Sequence, residues 1–274
     1  MLLLLLSYSI YWIKGRDVQE ALPEYMKFSY LFICRKEINF VTLPAVMKRI
    51  MLLLLMVAYM AVHATAQKAG EVINIPAGTK VESYFTMQTL SDDIIARMKG
   101  KSLPADKVEW GKRELRYLRV LHRNLKGNTQ IGELVCNKAI AKDLLAIMRS
   151  LYDSGYRIER MVLVDEYGGN DNLSMKANNT SCFNYRLVQG TNSLSNHGRG
   201  LAIDINPLYN PWVRGSKVDP VEGRPYAFNR SKVKAPVPII TTTDTCYKVF
   251  RKHGFTWGGA WRSSKDYQHF EKKP

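Results

Sequence analysis

Asp204 lies in the middle of the apolar run Leu201-Ala-Ile-Asp204-Ile-Asn206, where a carboxylate is hard to accommodate. On a strand, Leu201, Ile203 and Ile205 point one way, while Ala202, Asp204 and Asn206 point the other. An unpaired charge buried there would be very costly, so any workable fold must bring a compensating group to Asp204. The segments Ser195-Asn-His197-Gly-Arg-Gly-Leu-Ala-Ile-Asp204 and Asp266-Tyr-Gln-His269-Phe-Glu271 supply candidates, and they hold two of the five histidines in the chain. Catalytic zinc takes three protein ligands and keeps one open position, a count met by His197, Asp204 and His269. A metal ion would also compensate the carboxylate outright. Asp266 stands three residues before His269, free to act as a base. Gly198 and Gly200 allow a tight approach into the strand, and Pro207 helps to end it. The rival reading is an aspartate on the solvent face of an edge strand beside a chance histidine. Two such segments in one chain argue against it.

These segments stand in order with Asn179-Thr-Ser-Cys-Phe-Asn-Tyr-Arg186, Ile205-Asn-Pro-Leu-Tyr-Asn-Pro211 and Trp257-Gly-Gly-Ala-Trp261. Together they resemble the M15 family of zinc peptidases, over residues 85 to 271. That family holds D-alanyl-D-alanine carboxypeptidases, vancomycin-resistance dipeptidases and L-alanyl-D-glutamate endopeptidases of bacterial cell walls. The resemblance implies one Zn2+ per chain on His197, Asp204 and His269, with Asp266 as the catalytic carboxylate. It implies Arg186 as the cation that steadies the polarised carbonyl oxygen, and peptidoglycan stem peptides as substrate. Several relatives carry Glu where this chain has Asp266, and the endopeptidase branch more often resembles the Asp form, which weakly favours cleavage within the stem peptide. Which bond is cut stays open between the carboxypeptidase and endopeptidase types.

In this scheme Asp266 takes the proton of the attacking water and passes it to the leaving amine. An ordinary aspartate titrates near pH 4, so efficient donation requires a raised value in the site. Ser195 is placed to orient His197 or touch substrate, and a turn-forming serine reads equally well. Glu271 shares a strand face with His269 and could hold its second ring nitrogen. Trp257 and Trp261 could wall a cleft, although packing tryptophans are at least as common. Cys182 lies inside a motif, but a buried thiol or half of a disulfide fits better than a nucleophile. His122 and His253 read as bystanders.

Residues 1–66 differ in character from the rest. Met47-Lys48-Arg49, the apolar Ile50 to Val62 and Ala64-Thr65-Ala66 have the anatomy of a secretory signal peptide cleaved near Ala66. Residues 1–46 then read as a mis-assigned upstream extension. The rival reading makes Met1 to Trp12 a membrane anchor, but that run is short and has no basic flank. The expected organisation is therefore extension 1–46, signal 47–66, connector 67–84 and peptidase domain 85–274, with export to the periplasm or cell envelope. The fold class expected is α+β: a single zinc-peptidase domain whose small antiparallel sheet carries the ligands, with flanking helices.

Local patterns fill in the elements. The spacing of Leu115, Leu118, Leu121 (or His122) and Leu125 predicts a helix over 110–125. Asn137 caps a second helix through Leu151 that ends near Gly155, and a third runs from Asp244 to His253. Arg157 to Val164 alternates as a strand, 165–179 reads as a polar loop, and 255–258 and 267–271 read as short strands. Lys plus Arg number 40 against 24 Asp plus Glu. Removing the 7 basic and 4 acidic residues of 1–66 leaves +13 of the +16. Lys112, Arg113, Arg116, Arg119, Arg123 and Lys126 would load the first helix with charge. Exported protein seldom meets nucleic acid, so no nucleic-acid partner is expected. Attraction to an anionic envelope accounts for the charge, as does a merely solvated face. Besides the peptidase, a non-catalytic wall-binding domain retaining the fold and a basic nucleic-acid-binding protein are the competing classes. The full ligand set with Asp266 and Arg186 opposes the first, and the signal peptide opposes the second.

Overall fold

A computed structural model describes residues 68–273 apart from Ala77 and Gln189. The start at Met47, the signal peptide, the 1–46 extension and Cys34 lie outside the described residues. Among the described residues, no helix is long and apolar enough to cross a membrane.

Three small antiparallel sheets and several helices make an α+β arrangement. The first sheet joins β1 (Thr86–Gln88), β2 (Leu115–Arg123) and β3 (Thr129–Asn137), with helices α1 (Asp92–Met98) and α2 (Val108–Glu114) between β1 and β2. Ser91 caps α1, its side chain accepting from the Ile94 N–H. Residues 115–123 are thus a strand and not the continuation of a helix from Trp110. Leucines three apart suit both periods, and the competition is decided by partners far along the chain. Asn124 to Asn128 closes a tight loop, with Gly127 left-handed, and β2 pairs with β3 from Leu115↔Asn137 to Arg123↔Thr129. The basic residues consequently form no helical stripe. Lys112 and Arg113 end α2, while Arg119 and Arg123 share one strand face and Arg116 takes the other.

Helix α3 (Lys138–Asp153) starts as its sequence predicts, Asn137 accepting from the Ala139 N–H. Its Ile140, Leu144, Ile147, Met148 and Leu151 bury against Leu118, Val120 and Leu134 of the hairpin. The Arg157 to Val164 segment makes single bridges, Arg123↔Arg157 and Arg160↔Asn179, and forms no regular strand. The polar stretch after it contains a short helix, α4 (Asp171–Lys176), capped by Asn170. Residues 70–73 hydrogen-bond along β3, and Ile73 packs with Leu121, Ile131 and Tyr152.

The second sheet has the order β4-β9-β7, from β4 (Ala202–Asp204), β7 (Thr256–Trp257) and β9 (His269–Glu271). The third has the order β6-β5-β8, from β5 (Trp212–Arg214), β6 (Lys217–Asp219) and β8 (Lys265–Asp266). Helix α5 (Arg224–Ala227) is a single turn, and α6 (Thr245–Lys252) is capped by Asp244 and stopped at left-handed Gly254, as expected. Ile203 and Phe270 alternate away from Asp204, His269 and Glu271 into the core shared with α3 and α6, where Phe270 stacks on Phe250 at 4.2 Å. The apolar positions of these strands thus fasten the sheet, and the polar ones are left for the site. Gly200 makes the seam with the hairpin: its φ is +69°, and a Cβ there would meet the Asn137 backbone nitrogen at 2.7 Å. The Asn137 N–H donates to the Gly200 carbonyl at 2.8 Å, and the Asn137 side chain to the Arg199 carbonyl.

Candidate metal centre and active site

Asp204 and His269 face each other directly across β4 and β9, so their side chains leave the sheet on one side. The next row pairs Ala202 with Glu271, and the small alanine leaves room for the longer carboxylate. His197 comes from the preceding turn, in which the Ser195 hydroxyl accepts from the Gly198 N–H and the Gly200 N–H donates to the His197 carbonyl. Ser195 is therefore a turn-forming residue here.

One donor atom each from His197, Asp204 and His269 lies within 4.8 Å of the others, in a buried cluster. His197 Nε2 is 3.2 Å from His269 Nδ1 and 3.3 Å from Asp204 Oδ2, and His269 Nδ1 is 3.2 Å from Asp204 Oδ1. Both imidazoles use their other nitrogen elsewhere. His197 Nδ1 is 2.8 Å from the Cys182 carbonyl oxygen, and His269 Nε2 is 3.0 Å from Glu271 Oε2. Such outer partners fix the ring and aim one nitrogen inward, as metal-ligating histidines require. The role foreseen for Glu271 is thus the contact the structure makes. Asn196, adjacent to His197, donates to Glu271 Oε2 at 2.7 Å and closes the arrangement.

The electrostatics favour a cation. Burial opposes charge on His269, but its hydrogen bonds to the Asp204 and Glu271 carboxylates overcome it and pull the imidazole up to about 10. Burial likewise opposes charge on Asp204, and the two histidines outweigh it, holding the carboxyl far below its usual range. The His269 hydrogen bond is the largest influence holding Glu271 down, at about 2. A pocket that draws a proton so strongly between two imidazoles and a carboxylate is chemically suited to a divalent ion, so the donor set fits zinc.

Asp266 sits on β8 opposite Trp212. Gly258 permits its approach to the cluster, since a Cβ there would meet Asp266 Cβ and O at 2.7 Å and His269 Cβ at 3.3 Å. Burial pushes the Asp266 carboxyl up to about 7, with His269 pulling it down and Asp204 pushing it up. Its Oδ1 is buried without a hydrogen-bond partner. A carboxylate so placed can accept a proton and give it back near neutrality.

Arg186 is tied to this turn by its backbone, its carbonyl accepting from the Ser195 N–H at 3.0 Å. Its side chain does not join the cluster. It forms an ion pair, with Nε 2.5 Å from Asp171 Oδ2, in which the Nε–H does not make a hydrogen bond. Trp257 faces the core and donates to the Tyr267 carbonyl, whereas the exposed Trp261 ring lies 5.3 Å from His269. Cys136, Cys182 and Cys246 are buried, free thiols, and burial pushes all three up, away from reactivity. His122 is buried in β2 with Nδ1 on the Ile158 carbonyl, and His253 pairs with Asp143. Sequence reasoning missed Asn196, the Cys182 carbonyl, Asp171 and Gly258. Only Asn196 and Gly258 carried a signal, their place inside the motifs.

Residues 189–272 match the family model described as D-alanyl-D-alanine carboxypeptidase, of the M15 peptidases. This segment is similar to that of M15 peptidases. The match contains His197, Asp204, Asp266, His269 and Glu271, so every residue of the cluster falls within it. No curated protein and no solved structure matches the chain.

Proposed function

We propose that this protein is a zinc peptidase of the M15 type that hydrolyses peptide bonds in peptidoglycan stem peptides. The observation that carries the reading is the convergence of His197, Asp204 and His269, each imidazole braced by a partner on its far side. These three residues would hold the ion. Zinc in such a place supplies Lewis-acid polarisation of water and of the peptide carbonyl. Asp266 accepts the proton of the attacking water and returns it to the departing amine, which its raised pKa favours. Arg186 steadies negative charge growing on the carbonyl oxygen, where one well-placed donor is worth about 3–4 kcal/mol. Exposed Trp261 beside His269 forms a wall for the substrate chain.

Export belongs to the same reading. Residues 47–66 act as the signal, translation starts at Met47, and the peptidase unit faces the wall, where its positive charge favours the anionic envelope. Stem peptides are the partner proposed, and nucleic acid is not. Metal analysis of the exported protein should give one zinc per chain and an N-terminus near Gln67. His197→Ala, Asp204→Ala and His269→Ala should each lose the ion, and mass spectrometry of digested peptidoglycan should show shortened stems. Full zinc occupancy in any of the three variants would refute that ligand. A stem peptide with a free D-Ala terminus, compared with its amide, separates the bond types, and equal cleavage of both would exclude the carboxypeptidase.

A further inference from the structure

Arg186 is the one proposed catalytic group whose side chain meets none of the others, and its partner explains how it is held. Asp171 Oδ2 lies 2.5 Å from Arg186 Nε, and Asp171 Oδ1 accepts from Asn184 Nδ2 at 3.0 Å. Asn184 also donates from Nδ2 to the Gly169 carbonyl at 3.1 Å, and from its backbone N–H to the His197 carbonyl at 3.2 Å. One buried amide thus joins the turn that carries His197 to the carboxylate that grips Arg186. Asp219 reports the same neighbourhood: burial pushes its carboxyl up most, Asp171 and Asp204 add to this, and Arg186 opposes it.

We propose that Asp171 is a positioning residue that fixes Arg186 through Nε and leaves its terminal fork for the substrate. The proposal rests on the reading of Arg186 as the cation at the carbonyl oxygen. An arginine side chain 40% exposed has several free torsions, and a carboxylate on Nε restrains them while sparing both Nη nitrogens. Among the described residues, no hydrogen bond or ion pair engages either Nη. Asp171 serves two partners at once, accepting from Asn184 through Oδ1 and attracting the Arg186 guanidinium through the charge on Oδ2. Asparagine is neutral and offers one acceptor oxygen, so Asp171→Asn removes the attraction on Arg186 even where it keeps the bond from Asn184.

The test uses the zinc-loaded protein and a stem peptide. Asp171→Asn should lower kcat by about 10- to 100-fold, the scale of an ångström's misplacement. KM should stay within about 2-fold, since the interaction acts in the transition state. Zinc content and unfolding midpoint should not move, and Asp171→Glu, which keeps two acceptors, should recover part of the lost kcat. In an Arg186→Ala background, Asp171→Asn should cost little more, because both changes remove one interaction. An unchanged kcat in Asp171→Asn, or an equal loss on top of Arg186→Ala, overturns the proposal. If the unaltered protein cleaves no peptide, the functional reading fails separately, and nitrogen-15 NMR then decides the grip. An Arg186 Nε resonance that shifts in Asp171→Asn supports it, and a resonance unchanged by that substitution overturns it.

Discussion

The β2–β3 hairpin pairs nine residues on each strand, whereas the sheet carrying Asp204 and His269 pairs three along one edge of β9 and two along the other. The long ladder gains its order from repetition: every pair supports the next, and α3 covers one face with leucine and isoleucine. The short sheet has little ladder to rely on. Ile203 and Phe270 anchor it from below, and buried polar side chains tie the loops around it. Asn206 joins Glu159 N and the Arg157 carbonyl, while Asn210 and Arg230 bind the backbone of 209–240. Arg230 also stacks on Tyr267 at 3.9 Å, beside Asp266. One region is built to be stable, and the other is built to place particular atoms.

If that division is right, changes in the short sheet should separate chemistry from folding. Asp266→Asn should lower turnover by about 10²- to 10⁴-fold, the usual worth of a positioned base. Zinc content and the unfolding midpoint should hold, and activity of the unaltered enzyme should fall as acid protonates the carboxyl. Loss of zinc in Asp266→Asn would show that the carboxylate belongs to the ligand set. Gly200→Ala attacks the seam between the two regions. It forces a side chain into left-handed backbone, at about 1–2 kcal/mol. It also drives a Cβ towards the Asn137 nitrogen, and overpacking of this kind adds about 1–3 kcal/mol. Chemical denaturation should show that loss together with weakened zinc binding. Lost stability with normal zinc affinity would mean that the turn holds His197 without the hairpin.

The same division explains what could be read from the sequence. Asp204 was legible because a carboxylate stands in an apolar run, and His197, Asp266, His269 and Glu271 through the motifs in which they stand. The caps at Asn137 and Asp244 were legible because they are local. The strand over 115–123 was not, because its leucines satisfy both periods and its partner, β3, acts across the chain. Asp171 was invisible for the converse reason. It reads as an ordinary polar residue after Asn170, and only folding brings it to Arg186.

Acid should strike the hairpin through one residue. Burial holds the His122 imidazole down to about 4, with the Ile158 carbonyl pulling weakly the other way. Below about pH 6.5 the unfolded chain takes a proton that the folded one refuses, so stability present above that value is lost as pH falls towards 4. The full shift corresponds to about 3 kcal/mol. His122→Gln keeps a donor for the Ile158 carbonyl and removes the titration, so its stability should vary less between pH 6.5 and 4. An identical acid slope in both proteins would assign the effect to other groups.

The smallest effect expected concerns the surface of the site half. Lys176 of α4 pairs with Glu222 at 2.8 Å, with side chains 61% and 38% exposed. Solvent screens such a pair, and two long side chains lose entropy in holding it, so its worth is below about 1 kcal/mol. Arg230, by contrast, is partly buried, and it donates to the carbonyls of Tyr209, Tyr226 and Ile240 and to Asn210 Oδ1. Lys176→Ala should therefore leave the unfolding midpoint and kcat nearly unchanged at any salt concentration, while Arg230→Ala should lower the midpoint clearly. A salt-sensitive loss of activity in Lys176→Ala would reverse the assignment. The loops beside Asp171 would then be held from the surface, and the buried polar ties would not be what places the atoms of the site.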